Sequence, residues 1–296
     1  MSRGFEVLLY YQYAFIADPE TFARVHRDGC ERLGLKGRII VAHEGINGTV
    51  SGKRAATRAY QEFLHLSPSF FRMGFKSDPV DGHVFPRLSV KAREEIVSLH
   101  LGEEDIDPNE VTGERLSPRE FYEVMQEEDV IILDGRNEYE TQMGHFEGAV
   151  CPPLRNFREF PDWIRTHLAD AKAKKVLTYC TGGIRCEKLS GFLKREGFEN
   201  VFQLEGGIVS YAKDPVVRGK KFLGKCYVFD ERIGVEANFS EDACLVSTCR
   251  VTGDLTDRYV NCACPSCNRQ FFLSEAGQRR VGRYCSETCK RLSEKS

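Results

Sequence analysis

The feature that most constrains this chain is the stretch YCTGGIRCEK at residues 179–188, which follows directly on an apolar β-type run, KVLTY, and leads into a helix-forming segment at 187–197. A strand that ends in a cysteine, a glycine pair and an arginine before entering a helix is a corner of a parallel sheet. In such sheets ligands collect at the carboxyl ends of the strands. The surroundings repeat the pattern. After Ser117, an N-cap, come a helix (PREFYEVMQEED), a buried strand (VIILD), a loop (GRNEYETQMGHFEGAVCPP), a helix over about 157–172, KVLTY, the cysteine loop, its helix, and a last strand, VFQLEGG. Strands alternating with helices predict an α/β unit over residues 118–212, its parallel sheet covered on both faces.

The flanks read differently. Residues 1–100 give strand, helix, strand, helix, strand, strand, with Asp18 as N-cap of the first helix, Gly34 near its end and, after the second strand, a glycine-rich turn and return in HEGINGTVSG. That order predicts an α+β sandwich of the ferredoxin-like type with both helices on one face. Glu44 and Asn47 are within reach of a ligand if the turn is more than a tight reversal. Residues 101–117, LGEEDIDPNEVTGERLS, hold charges, Gly and Pro with no hydrophobic period and read as an acidic linker. Residues 213–296 form an irregular, cysteine-rich C-terminal region.

A cysteine attacks as thiolate, and its pKa falls from about 8.5 when a helix N-terminus or a cation lies beside it. Cys180 is offered both. The backbone of Thr181, Gly182, Gly183 and Ile184 has little side-chain cover, the following helix turns its positive end inward, and Arg185 adds a fixed charge, so the loop makes an anion cradle. The plainer alternative is a packing cysteine before an ordinary turn. Cys186 is either a resolving thiol for Cys180 or a residue packed on the first helical turn, and packing is expected. Asp134, Arg136 and Glu140, upstream in LDGRNEYE, are expected to support the loop by pairing, since a buried charge needs a partner.

Charge is uneven along the chain. Residues 101–150 carry 15 acidic and 3 basic side chains, whereas the segments before and after are each mildly positive. An anionic partner would meet basic faces on either side of an acidic waist; a solvated surface is the alternative. Apolar runs such as VIIL at 130–133 are far too short to cross a bilayer, so no membrane contact is expected. MSRGFEVLLYYQYAF reads as a first strand and not as a signal peptide, which makes a cytoplasmic chain the expectation. Twelve cysteines then point to thiolate chemistry or metal binding and not to a disulfide framework. Among seven histidines no H-x-E, HxxH or two-His-one-carboxylate pattern suggests iron.

The cysteine loop, with LDGRNEYE, GHFEGAVCPP and LEGGI placed around it, resembles the rhodanese family, whose active cysteine heads a short loop between a central strand and a helix. The spacing C-x-x-x-x-R from Cys180 to Arg185 resembles the form that goes with sulfur chemistry in this fold, and not the longer loop of its phosphatase relatives. Over nearly the whole length, EGINGT, FPRLSVKAREEIVSL, DGRNEYE, CTGGIRCEKLS and YVNCACPSCN resemble the bacterial tRNA uridine hydroxylases of the TrhO type. That resemblance implies an enzyme that converts a wobble uridine in the tRNA anticodon region to 5-hydroxyuridine with molecular oxygen as co-substrate. It places Cys180, with Arg185, at the catalytic, persulfide-forming position. A rhodanese-type sulfurtransferase and a non-enzymatic RNA-binding or thiol-sensing module are the alternatives. The residues name no redox cofactor and no oligomeric state.

Candidate RNA contacts are Arg72, Arg87, Lys91 and Arg93 in the front domain, with Lys76 and the nearby Phe71, Phe75 and Phe85, although most of those rings are expected in the core. Arg279, Arg280 and Arg283 are candidates in the tail. Four of Cys262, Cys264, Cys267, Cys285 and Cys289 are expected to hold a structural zinc, the Cys264–Cys267 and Cys285–Cys289 pairs resembling a four-thiolate site. Related sequences place a further cysteine three positions after Cys249 and another pair just past the NRQ segment, where this chain has Thr252 and SEAGQ; a reduced, metal-free thiol cluster and a redox-active one are the alternatives.

Overall fold

In the computed structural model, residues 4–267 and 269–294 are described, and Asn268, the last residue of YVNCACPSCN, lies outside them. The front domain runs β1 (Phe5–Tyr13), α1 (Pro19–Arg32), β2 (Lys36–Ala42), β3 (Gly45–Lys53), α2 (Arg54–His65), β4 (Phe75–Val80) and β5 (Leu88–Ala92). Its sheet has the order β4-β1-β3-β2-β5. The first four strands of that order are the ferredoxin-like arrangement, and β5 adds an edge strand parallel to β2. Asp18 caps α1 by accepting from the Thr21 N–H at 3.0 Å, with Pro19 in the first turn. Both helices cover one face: Ala23 and Cys30 of α1 and Tyr60 and Leu64 of α2 pack on Leu8, Tyr10, Ile39, Ile46 and Val50.

The glycines of HEGINGT belong mostly to a strand. The reversal is His43–Glu44, and Gly45 already pairs with Tyr13 in the β1–β3 ladder. Gly48 is small because a Cβ there would fall 2.2 Å from the Tyr10 hydroxyl.

The second unit contains β6 (Glu114–Leu116), α3 (Pro118–Val124), β7 (Val130–Asp134), α4 (Glu138–Thr141), β8 (Gly144–Phe146), α5 (Phe160–His167), β9 (Lys175–Tyr179), α6 (Ile184–Arg195), β10 (Asn200–Leu204) and α7 (Gly207–Lys213). Its parallel sheet has the order β6-β10-β9-β7. Phe160 and Ile164 of α5 and Leu189 and Phe192 of α6 close one face, while Phe121 of α3 and Ile208 and Tyr211 of α7 close the other. A strand buried on both faces explains the unbroken apolar runs VIIL and KVLTY.

Two boundaries differ from the sequence reading. Within the expected linker 101–117, Glu114–Leu116 is the edge strand β6, Ile106 is buried, and the Gly113 N–H donates to Ser190 Oγ of α6 at 2.7 Å. The region after 213 begins as a continuation of the second unit. There β11 (Phe222–Tyr227) pairs with β8 and with β12 (Gly234–Glu236), and it buries Phe222 and Cys226 in the core on the α3–α7 side. The cysteine-rich part follows, with β13 (Tyr259–Asn261), β14 (Gln270–Phe272), α8 (Glu275–Val281) and α9 (Glu287–Glu294). No helix among the described residues is long and apolar enough to cross a membrane.

The front sheet turns the face away from its helices towards the second unit. Lys188, on the helix that follows the cysteine loop, is fully buried. Its ammonium meets Glu44 of the front-domain turn at 2.8 Å, Glu95 at 2.8 Å and Asp105 at 2.6 Å. Burial pulls its pKa down, and the bonds to Asp105, Glu44 and Glu95 reverse that, leaving it above the ordinary lysine value. Glu44 also accepts from the Ile96 N–H at 2.6 Å, and Asn47 donates to the Ile96 carbonyl at 3.0 Å, so both side chains are engaged by the protein itself. Lys188→Met would leave three carboxylates facing one another without their cation, at a cost of about 3–5 kcal/mol. Thermal unfolding and the rate of proteolysis within residues 93–113 should both register it; an unchanged melting temperature and cleavage rate would contradict the docking role.

Candidate active site

Cys180 stands at the carboxyl end of β9, where α6 begins. Its sulfur accepts from the Gly183 N–H at 3.1 Å. Burial alone pushes the thiol up. The Cys186 thiol, the Arg185 charge and the N–H groups of Cys186 and Gly183 outweigh burial and bring it down to about 5, so it is a thiolate at neutral pH. Cys186 is pushed well above the ordinary range, first by burial and then by giving its proton's hydrogen bond to Cys180. Its side chain is fully buried on the first helical turn and faces the Cys180 sulfur.

Arg185 grips Glu140 through two bonds of 2.6 and 2.8 Å and reaches Thr181 Oγ1 at 3.5 Å. This pair fixes the loop against α4, and the guanidinium stays charged because the carboxylate more than offsets its burial. Asp134 and Arg136 pair with each other at 2.9 and 2.6 Å, both fully buried, and Arg136 also donates to the Gly144 carbonyl at 2.6 Å. Thus Asp134, Arg136 and Glu140 of LDGRNEYE enter two ion pairs: Asp134–Arg136 locks β7 to β8, and Glu140–Arg185 holds the loop.

The loop is covered. Leu9 and Tyr11 of β1 lie on Gly182 and Gly183, where a Cβ would come within 2.8 Å of Leu9 Cδ2 and 2.9 Å of the Tyr11 hydroxyl. Gly183 also has φ +104°, a conformation that side chains disfavour. The glycine pair is needed for close approach of the front domain as much as for an open cradle. Lys76 donates to the Gly182 carbonyl at 3.1 Å, and Tyr13 donates to the Ile184 carbonyl at 3.3 Å. From the far side Gly207 of LEGGI presses in. A Cβ there would fall 2.5 Å from the Cys180 carbonyl, which accepts from the Ile208 N–H at 3.0 Å. Cys180 is fully buried as a result.

In the tail, Cys262, Cys267, Cys285 and Cys289 bring their sulfurs within 4.8 Å of one another. Cys267 and Cys285 are 3.6 Å apart and Cys285 and Cys289 3.5 Å. Four thiolates on a tetrahedral zinc lie about 3.8 Å apart, so the donor set fits that ion. Cys264 is outside the cluster, turned to Ser266 Oγ at 3.2 Å, which corrects the pairing of Cys264 with Cys267. Cys249 lies apart with Thr252, Ser274 and Gly277. Burial raises this thiol, but bonds from Ser274 and Thr252 bring it down to about 6.

The candidate cations separate into three places. Arg87, Lys91 and Arg93 line one cleft, Arg72 another, and Arg279, Arg280 and Arg283 are exposed on the tail. Phe85 is buried, Phe75 packs against the front core, and Phe71 is exposed beneath the Arg72 guanidinium.

Three family models match the chain in series: the UPF0176 acylphosphatase-like domain at residues 5–96, the rhodanese-like domain at 117–214 and the rhodanase C-terminal model at 223–290. A tRNA uridine(34) hydroxylase of Bacillus licheniformis is 53% identical over 98% of this chain and 89% of its own, and that of Bacillus pumilus is 51% identical over the same shares. The chain belongs to the tRNA uridine(34) hydroxylase family. Among solved structures, a rhodanese-like domain protein from Staphylococcus aureus is 22% identical over 34% of this chain and 94% of its own, with TM-score 0.29.

For this family member, sequence reasoning missed the residues that join the units: Lys188, and Glu187, which accepts from Tyr11 at 3.0 Å, Arg115 at 2.9 Å, Thr112 at 3.0 Å and Gln203 at 3.0 Å. The signal that could have found them was α6 itself. A helix right after a buried strand that carries adjacent Glu and Lys beside its apolar residues must find partners for both charges. For the tail, elemental analysis of the purified protein is expected to find one zinc, lost in Cys262→Ser and Cys289→Ser and retained in Cys264→Ser. Retention in the first two with loss in the third would overturn the assignment of the cluster.

Proposed function

We propose that this protein hydroxylates the wobble uridine of tRNA at C5, with Cys180 as its reactive group and molecular oxygen as co-substrate. The observation that carries the reading is a cysteine at the carboxyl end of a parallel strand, its sulfur accepting from the Gly183 N–H at 3.1 Å in a loop closed by the Arg185–Glu140 pair, in a chain half identical along almost its entire length to tRNA uridine(34) hydroxylases. Placing one atom of O2 in the C5–H bond and releasing the other as water consumes two electrons and two protons, which an external donor must supply. The chain's own part is electrostatic and positional. The N–H groups of Gly183 and Cys186 hold negative charge on the sulfur, Arg185 paired with Glu140 keeps the loop in shape, and the front domain excludes water from it. The tail cysteines 262, 267, 285 and 289 would hold a structural zinc, which supplies a cross-link where there is little hydrophobic core.

The six-residue loop from Cys180 to Arg185 favours one second reading, a sulfurtransferase that carries a persulfide on Cys180. The two readings part on the product. In a strain lacking the enzyme, the parent gene should restore a uridine heavier by one oxygen at position 34 when grown in air and not without oxygen, and Cys180→Ser should lower that product at least about a hundredfold. Mass spectrometry of digested tRNA is the measurement. Full restoration by the serine variant would remove Cys180 from the chemistry, and sulfur in place of oxygen would favour the transferase.

A further inference from the structure

Two clefts flank the seam between the front domain and the rhodanese-like unit, and they differ in charge and in where they lead. One, of about 610 Å³, is bordered by Arg72, Lys76 and Arg115 and by Glu187 and Glu205. Its cations are largely engaged, Lys76 with the Gly182 carbonyl at 3.1 Å and Arg115 with Glu187 at 2.9 Å. The other, of about 680 Å³, is bordered on its β2–β5 side by Arg38, Arg87, Lys91 and Arg93. Among the described residues none of these four is in an ion pair; Arg93 donates only to the neighbouring Ala92 carbonyl, at 3.1 Å. Of the acids opposite, Asp230 is held by Arg232 at 2.9 and 2.6 Å, which leaves Glu231. Four cations in one concavity against one free acid make a surface for a polyanion.

The inner wall of this second cleft is aromatic. Phe229 is 44% exposed, meets Tyr227 edge-on at 5.3 Å, and has the Arg185 guanidinium 5.9 Å from its ring. Phe229, Phe85 and Asp230 also border a small cavity of about 60 Å³, whose other walls include Lys76 and Thr181, the residue after Cys180. Phe229 therefore touches the cationic cleft, the inner cavity and the arginine of the cysteine loop together.

We propose that the cleft of Arg38, Arg87, Lys91 and Arg93 seats the backbone of the anticodon loop, and that Phe229 is the stacking platform at which the wobble base turns in towards the cysteine loop. This rests on the tRNA hydroxylase reading. Single-stranded loops present splayed bases that stack on aromatic faces, while their phosphates take up unpaired arginine and lysine. Arg72 and the tail arginines are outside this path.

The test uses the full chain and unmodified substrate tRNA. Reversing Arg38, Lys91 and Arg93 to Glu should weaken tRNA binding by about tenfold or more and flatten the plot of log affinity against log salt by about 0.7 for each phosphate that is no longer neutralised. Arg72→Glu should change affinity less than about twofold, since a single cation at an otherwise engaged cleft meets one phosphate at most. Phe229→Leu should leave affinity within about threefold while lowering the single-turnover rate of hydroxylation about tenfold, and Phe229→Tyr should restore the rate. Unchanged binding and salt slope in the triple variant, or a larger loss in Arg72→Glu, would overturn the cleft assignment. A rate for Phe229→Leu equal to that of the parent would overturn the platform. If the parent adds no oxygen to the tRNA yet loses binding in the triple variant, the hydroxylase reading fails and the RNA cleft stands.

Discussion

One ammonium group organises this molecule. Lys188 is buried with Glu44 from the front-domain turn and with Glu95 and Asp105 from the segment between the units. It sits on the helix that starts at the cysteine loop, so the same interaction that docks the front sheet also fixes the distance from that sheet to Cys180. A cation out of water requires partners nearly as strong as hydration, and three carboxylates meet that requirement only if all three segments are in place. Leu9, Tyr11, Tyr13 and Lys76 can then cover the loop.

Covering a thiolate is costly unless its charge is supported from within. Here the support is local: the N–H of Gly183 at 3.1 Å, the N–H and thiol of Cys186, and the Arg185 charge, itself steadied by Glu140. The loop is a compact polar island under an apolar and aromatic lid. Its glycines serve two ends at once, because the backbone they leave bare holds the charge and the side chains they lack make room for β1.

The sequence made much of this legible where local rules decide the outcome. Alternating apolar runs and helices announced the parallel sheet, Asp18 with Pro19 announced α1, and the cysteine loop was readable because strand, glycine pair and arginine occur in one stretch. Its blind spots have physical causes. Strand β6 is three residues long and includes the exposed pair Glu114 and Arg115, so as an edge strand it looks like linker. Cys264 and Cys267 have the spacing of a zinc pair, but strand β13 delivers Cys262 to the cluster while Cys264 turns to Ser266. Glu44 and Asn47 looked free for a ligand because no local pattern tells that their partners, Lys188 and Ile96, lie far along the chain.

The central claim is that a fully covered sulfur is nonetheless ionised at neutral pH. The direct measurement is the pH dependence of alkylation of Cys180 by iodoacetamide, followed on its own peptide by mass spectrometry. Cover by β1 slows the reagent at every pH alike, so the midpoint and not the absolute rate is the readout. A midpoint near 5 is predicted; a midpoint at or above about 8.5, the value of an ordinary thiol, would contradict the account.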